Sequence, residues 1–180
     1  MPGRIFAVVG PSGAGKDTLI AAARAVRRDL HVVRRVITRA EDAAGEPFEG
    51  VTADDFALRA ARGDFVLTWA AHGLHYGIPA SVLDAVGEGR DVIFNGSRAM
   101  LTEAWEVFPN LTVILVTAPI QVLAERLAAR ARETTGDIAA RLARARYEVP
   151  PGIPLRVVEN GGRLEDAVAA FLAALQPDRV

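Results

Sequence analysis

Cysteine is absent from the 180 residues, so disulfides, thiolate catalysis and cysteine-ligated zinc are excluded. Histidine is scarce. His31, His72 and His75 form no H-E-x-x-H pattern, and no zinc site is expected. Long apolar runs are also missing: no stretch reaches the roughly 18 consecutive apolar residues of a membrane span. The opening MPGRIFAVVG carries too short an apolar run for a secretory leader, and no small-residue cleavage region follows it. The expected address is the cytoplasm, with no membrane partner. Neither sign of charge dominates, because 21 Lys and Arg meet 22 Asp and Glu for a formal net charge of −1. Sequence-independent binding of nucleic acid needs a basic surface. No nucleic-acid partner is expected, although local arginine clusters remain able to hold small anions. There is no internal repeat and no low-complexity tail. What remains is a globular balance of apolar and charged residues, at a length that fits one domain.

Residues 4–9 (RIFAVV) form an apolar β-rich run ending at Gly10, which predicts a buried strand. Residues 16–28 space their apolar positions as a helix does. Further strands are predicted at 32–37, 65–70, 91–95, 111–117 and 154–160. Further helices are predicted at 53–62, 80–86, about 98–107 and 163–175. Thr52 is placed to cap the first of these, with Asp55 three residues on, and Gly63 to stop it. HGLHYG reads as a turn before Pro79, which opens the next helix. A long arginine-rich helical region runs from Pro119 to about Tyr147, with a break at 134–136. Strands alternating with helices imply a parallel sheet covered on both faces. The stretch 38–84 breaks that rhythm and reads as an inserted substrate-gripping piece.

Between the first strand and the first helix lies GPSGAGKDTL, residues 10–19. It fits the phosphate-binding pattern G-x-x-x-x-G-K-[ST] except in its last letter. The glycines at 10, 13 and 15 let successive N–H groups of Gly10, Pro11, Ser12, Gly13, Ala14, Gly15, Lys16, Asp17 and Thr18 (Pro11 contributing none) cradle phosphate oxygens. The helix adds its positive end, and Lys16 reaches the β- and γ-phosphates. A nucleotide, ATP, is the expected ligand. Asp17 stands where a hydroxyl normally meets Mg²⁺. A carboxylate is a harder, charged oxygen donor that Mg²⁺ accepts beside substrate phosphates, so Asp17 is the candidate metal residue, directly or through a water. The competing reading is a residue that merely favours the helix N-terminus.

GPSGAGK, Thr38-Arg39 and GDFVLTWAAHGLHYGIP (63–79) together resemble the guanylate kinase family over nearly the whole chain. The resemblance implies a three-layer α/β phosphate-loop kinase: a parallel-sheet core (1–37 and 85–180), an acceptor-binding insert (38–84) and an arginine-rich helical lid (about 126–148). The departures lie in the acceptor pocket. Thr68 replaces the glutamate that reads guanine in that family, Asp42 replaces a second phosphate-clamping arginine, and Asn95-Gly96-Ser97-Arg98 lacks the guanine-side aspartate. The loop with its aspartate, RRVITR (34–39), AHGLHYGIP (71–79) and NGSRA (95–99) resemble one branch, the ribose 1,5-bisphosphate phosphokinases of bacterial phosphonate metabolism. That branch implies transfer from ATP to the 1-phosphate of ribose 1,5-bisphosphate, giving 5-phospho-α-D-ribose 1-diphosphate.

By the same resemblance, Lys16, Arg130 and Arg132 are the catalytic candidates, the two arginines closing from a lid segment that also carries Arg126 and Arg141. Each of the arginines has a plainer reading as part of a solvated helix face. Arg39, Tyr76, Asn95, Ser97 and Arg98 are the candidates for binding the phosphorylated sugar. Of Arg34 and Arg35, alternation along a strand allows one to face the pocket. Trp69 is assigned to the core, and Asn160 opens a loop expected near the adenine. A dianionic phosphate acceptor needs no general base, in keeping with the lack of any Ser-His-Asp or paired-carboxylate arrangement. Two alternatives stand beside this reading: a nucleoside monophosphate kinase for GMP, and a non-catalytic guanylate-kinase-like binding domain. The sequence leaves the oligomeric state open, a homodimer being one arrangement it allows.

Overall fold

The computed structural model describes residues 1–41, 47–129, 135–144 and 148–177. Five strands make the main sheet: β1 (Ile5–Val9), β2 (His31–Val32), β7 (Val92–Asn95), β8 (Leu111–Thr117) and β9 (Leu155–Glu159). Their order is β2-β7-β1-β8-β9, and every pair is parallel. Parallel strands need crossovers, and the helices that supply them cover both faces. That is why β1 is apolar at every position and buried throughout. Its side chains alternate. Ile5, Ala7 and Val9 pack with Phe94, Met100 and Leu101 on one face. Phe6 and Val8 pack on the other with Leu19 and Ala23 of α1 (Lys16–Val26) and Phe171 of α7 (Leu164–Ala174).

A second sheet runs β4-β3-β6-β5, from β3 (Val36–Ile37), β4 (Glu49–Gly50), β5 (Phe65–Ala71) and β6 (Leu74–Pro79). The remaining helices are α2 (Ala53–Ala61), α3 (Val82–Gly87), α4 (Leu101–Val107), α5 (Ile120–Ala128) and α6 (Thr135–Arg144). A 3₁₀ turn at Arg98–Met100 leads into α4. Thr52 caps α2 as expected, its Oγ1 accepting from the Asp55 N–H at 3.1 Å.

Three local expectations are corrected. The strand predicted over 32–37 is two strands in two sheets: His31–Val32 pairs with β7, and Val36–Ile37 pairs with β6. The run VVRRVI has one β-like pattern, but its two ends find different partners. The HGLHYG turn shrinks to His72 and Gly73, with φ of 52° and 73°. Two consecutive positive φ values are the signature of a type I′ hairpin turn, whose twist suits the flanking strands. Leu74–Pro79 is therefore the return strand, and Pro79 ends it opposite Phe65 instead of opening a helix.

Candidate active site

The carboxyl ends of β1, β7 and β8 converge, as open α/β sheets require of their ligand crevice. From β1 the chain turns through 10–15 into α1. Gly15 caps α1 at φ 90°, and a Cβ there would lie 2.4 Å from the Asn160 amide nitrogen. Only glycine satisfies both conditions. Asn160, 5% exposed, donates from Nδ2 to the Ala14 carbonyl at 2.8 Å. Arg126 of α5 donates to the Gly13 carbonyl (3.2 Å) and the Asn160 carbonyl (2.6 Å). These two side chains tie the loop to the segment after β9. Lys16 donates from Nζ to the carbonyls of Gly10 (2.9 Å) and Pro11 (3.2 Å), folded across the loop it serves. It is the only lysine among the 21 basic Lys and Arg residues. A cavity of about 490 Å³ opens here, lined by Ser12, Lys16, Asp17, Thr18, Arg126 and Asn160 among others.

A second cavity, about 210 Å³, adjoins it on the side of the smaller sheet. Lys16, Arg35, Trp69, Tyr76, Asn95 and Ser97 line it, and its described lining includes no carboxylate. Trp69 and Tyr76 are a cross-strand pair with stacked rings, centroids 5.2 Å apart and planes 5° apart. The Arg35 guanidinium carbon lies 5.2 Å from the centre of the Tyr76 ring, and Arg35 is buried. Ser97 accepts from the Ala99 N–H with its Oγ and so fixes the turn after β7. The Gly96 N–H donates to Val8 O at 2.8 Å, pinning that turn against β1.

Several sequence candidates meet here: Lys16, Asp17, Tyr76, Asn95 and Ser97. Others do not. Arg39 is exposed, with its guanidinium 4.4 Å from the centre of the Phe48 ring, and Arg98 is exposed on the 3₁₀ turn. Neither lines the two cavities. Thr68 stands between Leu67 and Trp69, and pairs with Gly77. Strand alternation sends its side chain to the face opposite Trp69 and Tyr76. On this strand the described lining of the cleft is Trp69 and Ala71, and Thr68 is not part of it. His75 shares the Thr68 face, its ring 5.6 Å from Phe56, while His72 borders the cleft. Arg130 and Arg132 lie outside the described residues, as do Asp42 and the side chain of Arg141.

Sequence reasoning left Arg35 undecided against Arg34 and missed the clamp made by Arg126. Arg35 was legible only as one of two choices on a strand, and the bend between β2 and β3 settles which one is buried. Asn95 carries more than was assigned to it. It is 8% exposed and donates from Nδ2 to Asp17 Oδ1 at 2.6 Å. Among the described residues, no group of three or more His, Asp or Glu could hold an ion unaided. One carboxylate beside substrate phosphates nevertheless suits Mg²⁺, which keeps several waters and takes one or two carboxylates.

No protein-family model matches the chain. It is 46% identical to the ribose 1,5-bisphosphate phosphokinase PhnN of Pseudomonas fluorescens, over 97% of this chain and 96% of that one. It is 49% identical to the bifunctional ribose 1,5-bisphosphokinase-thymidine phosphorylase of Cupriavidus necator, over 97% of this chain but 29% of that relative. The chain thus spans under a third of the bifunctional relative. A guanylate kinase crystal structure from Anaplasma phagocytophilum superposes with a TM-score of 0.69 at 16% identity, over 97% of this chain and 85% of that one.

Proposed function

The chain belongs to the ribose 1,5-bisphosphate phosphokinase family, and from that membership we infer that it transfers the γ-phosphoryl group of ATP to the 1-phosphate of ribose 1,5-bisphosphate. The bond from the γ-phosphorus to the β–γ bridging oxygen breaks, and ADP leaves. A 1-phosphate oxygen forms the new bond, giving 5-phospho-α-D-ribose 1-diphosphate. A phosphate monoester with its second pKa about 6 is mostly dianionic at neutral pH, so no proton need be removed. The task is to bring two polyanions into line and neutralise them.

The intact phosphate loop supports Lys16 and the N–H groups of 10–18 as the donor-phosphate cradle. Mg²⁺, when bound, neutralises charge on the β- and γ-phosphates, and Asp17 is the residue suited to hold it. Arg126 and Asn160 keep the loop's shape. Arg130 and Arg132 are read as the lid arginines that close on the transferring group. Strands β4, β5 and β6 of the smaller sheet fall within the proposed acceptor piece at 38–84, and β3 stands just before it. Within it Tyr76, joined by Arg35 from the edge of β3, is read as gripping acceptor phosphate, with Ser97 of the core beside them. Arg39 and Arg98, exposed and outside both cavities, are kept as proposed acceptor contacts on the family resemblance alone.

The observation that carries the choice of acceptor is the small cleft beside Lys16, walled by a buried arginine and two stacked aromatic rings and bare of carboxylate among its described residues. Such a cleft suits an anionic sugar and lacks the acidic group that would recognise guanine. Phosphorus NMR of enzyme, ATP, Mg²⁺ and ribose 1,5-bisphosphate is expected to show ADP and a new sugar diphosphate, and GMP in place of the sugar is expected to give no GDP. Turnover of GMP without turnover of the sugar bisphosphate would reverse the assignment.

A further inference from the structure

We propose that Asp17 and Asn95 form one metal-holding pair in which charge has changed sides relative to the common phosphate-loop arrangement, Asn95 being the positioning residue for the Asp17 carboxylate. The common arrangement has a neutral hydroxyl after the lysine and a carboxylate on a neighbouring strand, both directed at the ion. This chain has the carboxylate after the lysine, and a neutral amide at the carboxyl end of β7, the strand beside β1. The two side chains touch, with Asn95 Nδ2 donating to Asp17 Oδ1 at 2.6 Å. Each departure taken alone looks like a loss. Together they keep one negative charge and one neutral partner across the same gap.

The surroundings bear this out. Asp17 lies in the first turn of α1, where the helix's positive end and Lys16 already gather negative groups. A second carboxylate at 95 would stand within hydrogen-bond distance of the first, and two like charges so close resist joint ionisation. An amide avoids that conflict and holds the carboxylate in one orientation. Asn95 is also buried, which limits its movement, and it borders both the donor and acceptor cavities. A third cavity, along α1, shares Asp17 and Asn95 as well. The pair therefore stands where the two substrates' phosphates would meet. The inference rests on the reading of the loop as a Mg²⁺·ATP site and is independent of which acceptor is used.

Calorimetric titration of the intact chain with ATP alone, in EDTA and then in Mg²⁺, tests the pair without any acceptor. The readout is the ratio of the two Kd values, and unliganded Tm reports folding. Asn95→Ala is expected to cut the Mg²⁺ enhancement by about tenfold or more, as loss of groups that orient metal ligands does, with Kd in EDTA little changed. Asn95→Ser serves the same purpose should the alanine variant fail to fold. Asp17→Asn is expected to abolish most of the enhancement, and Asp17→Asn combined with Asn95→Asp to recover much of it. An unchanged ratio in the folded Asn95 variant, or a double variant no better than Asp17→Asn, would overturn the pairing. Absence of ATP binding by the parent chain would instead overturn the kinase reading itself.

Discussion

Asp91, at the foot of β7, accepts from the Arg4 backbone N–H (3.0 Å), Arg4 Nε (3.2 Å) and Arg27 Nη1 (3.1 Å). Burial pushes its carboxyl pKa up, but hydrogen bonds from Arg4 and Arg27 outweigh this, and the net shift is downward. A carboxylate lowered on folding contributes stability above its unfolded pKa, near 3.9, and that contribution is lost as pH falls through the folded value. Asp91→Ala would leave Arg4, already with a buried Nη1 lacking a protein partner, without its counter-charge. Breaking a buried pair typically costs ~3–5 kcal/mol, and partial exposure of both arginines argues for the lower end. Denaturant unfolding at pH 7 is expected to show a loss of about 3 kcal/mol. The gap between variant and parent is expected to narrow as pH falls below about 4 and on through the lowered folded pKa.

At the scale of elements, the β5–β6 hairpin decides which side chains wall the smaller cleft, the proposed acceptor site. Its two-residue turn fixes the register, and the register sends Trp69, Ala71 and Tyr76 to one face and Thr68 and His75 to the other. Slipping by one residue would exchange the faces and empty the cleft of its rings. Thr68→Glu is therefore expected not to create GMP kinase activity, and to leave KM for the sugar bisphosphate within about twofold, because the half-buried residue 68 does not line the cleft and strand alternation directs it away. A coupled ADP-release assay with both acceptors checks this. Appearance of GMP turnover would mean that residue 68 reaches the cleft.

For the molecule as a whole, the two cavities proposed for donor and acceptor adjoin and share part of their walls. Both are lined by Ser12, Lys16 and Asn95. Two ligands held in adjoining cavities lose less freedom when joined, because the second binding step becomes intramolecular. An adenosine-to-ribose conjugate bridged by a polyphosphate of suitable length is expected to bind at least about a hundredfold more tightly than ATP or the sugar bisphosphate alone. Competition calorimetry checks this. Affinity no greater than that of ATP would show that the two cavities are not filled along one line.

Much was readable from local order. A strand, a glycine-rich turn and a helix follow one another in residues 4–28, and their phosphate cradle needs little beyond backbone geometry and Lys16. The apolar runs at 91–95 and 111–117 likewise announce buried parallel strands, because a strand covered on both faces has no polar side. Contacts between distant segments were not readable. VVRRVI divides between two sheets, and so places Arg35 rather than Arg34 at the cleft. Thr68 turns its back on the site, Arg126 reaches Gly13 across 113 positions, and Asn95 meets Asp17 across 78. Propensity and periodicity record which shape a segment favours and which of its sides is apolar. Which partner lies on the far side of a hydrogen bond depends on strand order and hairpin register, and these arise only when all the segments pack at once.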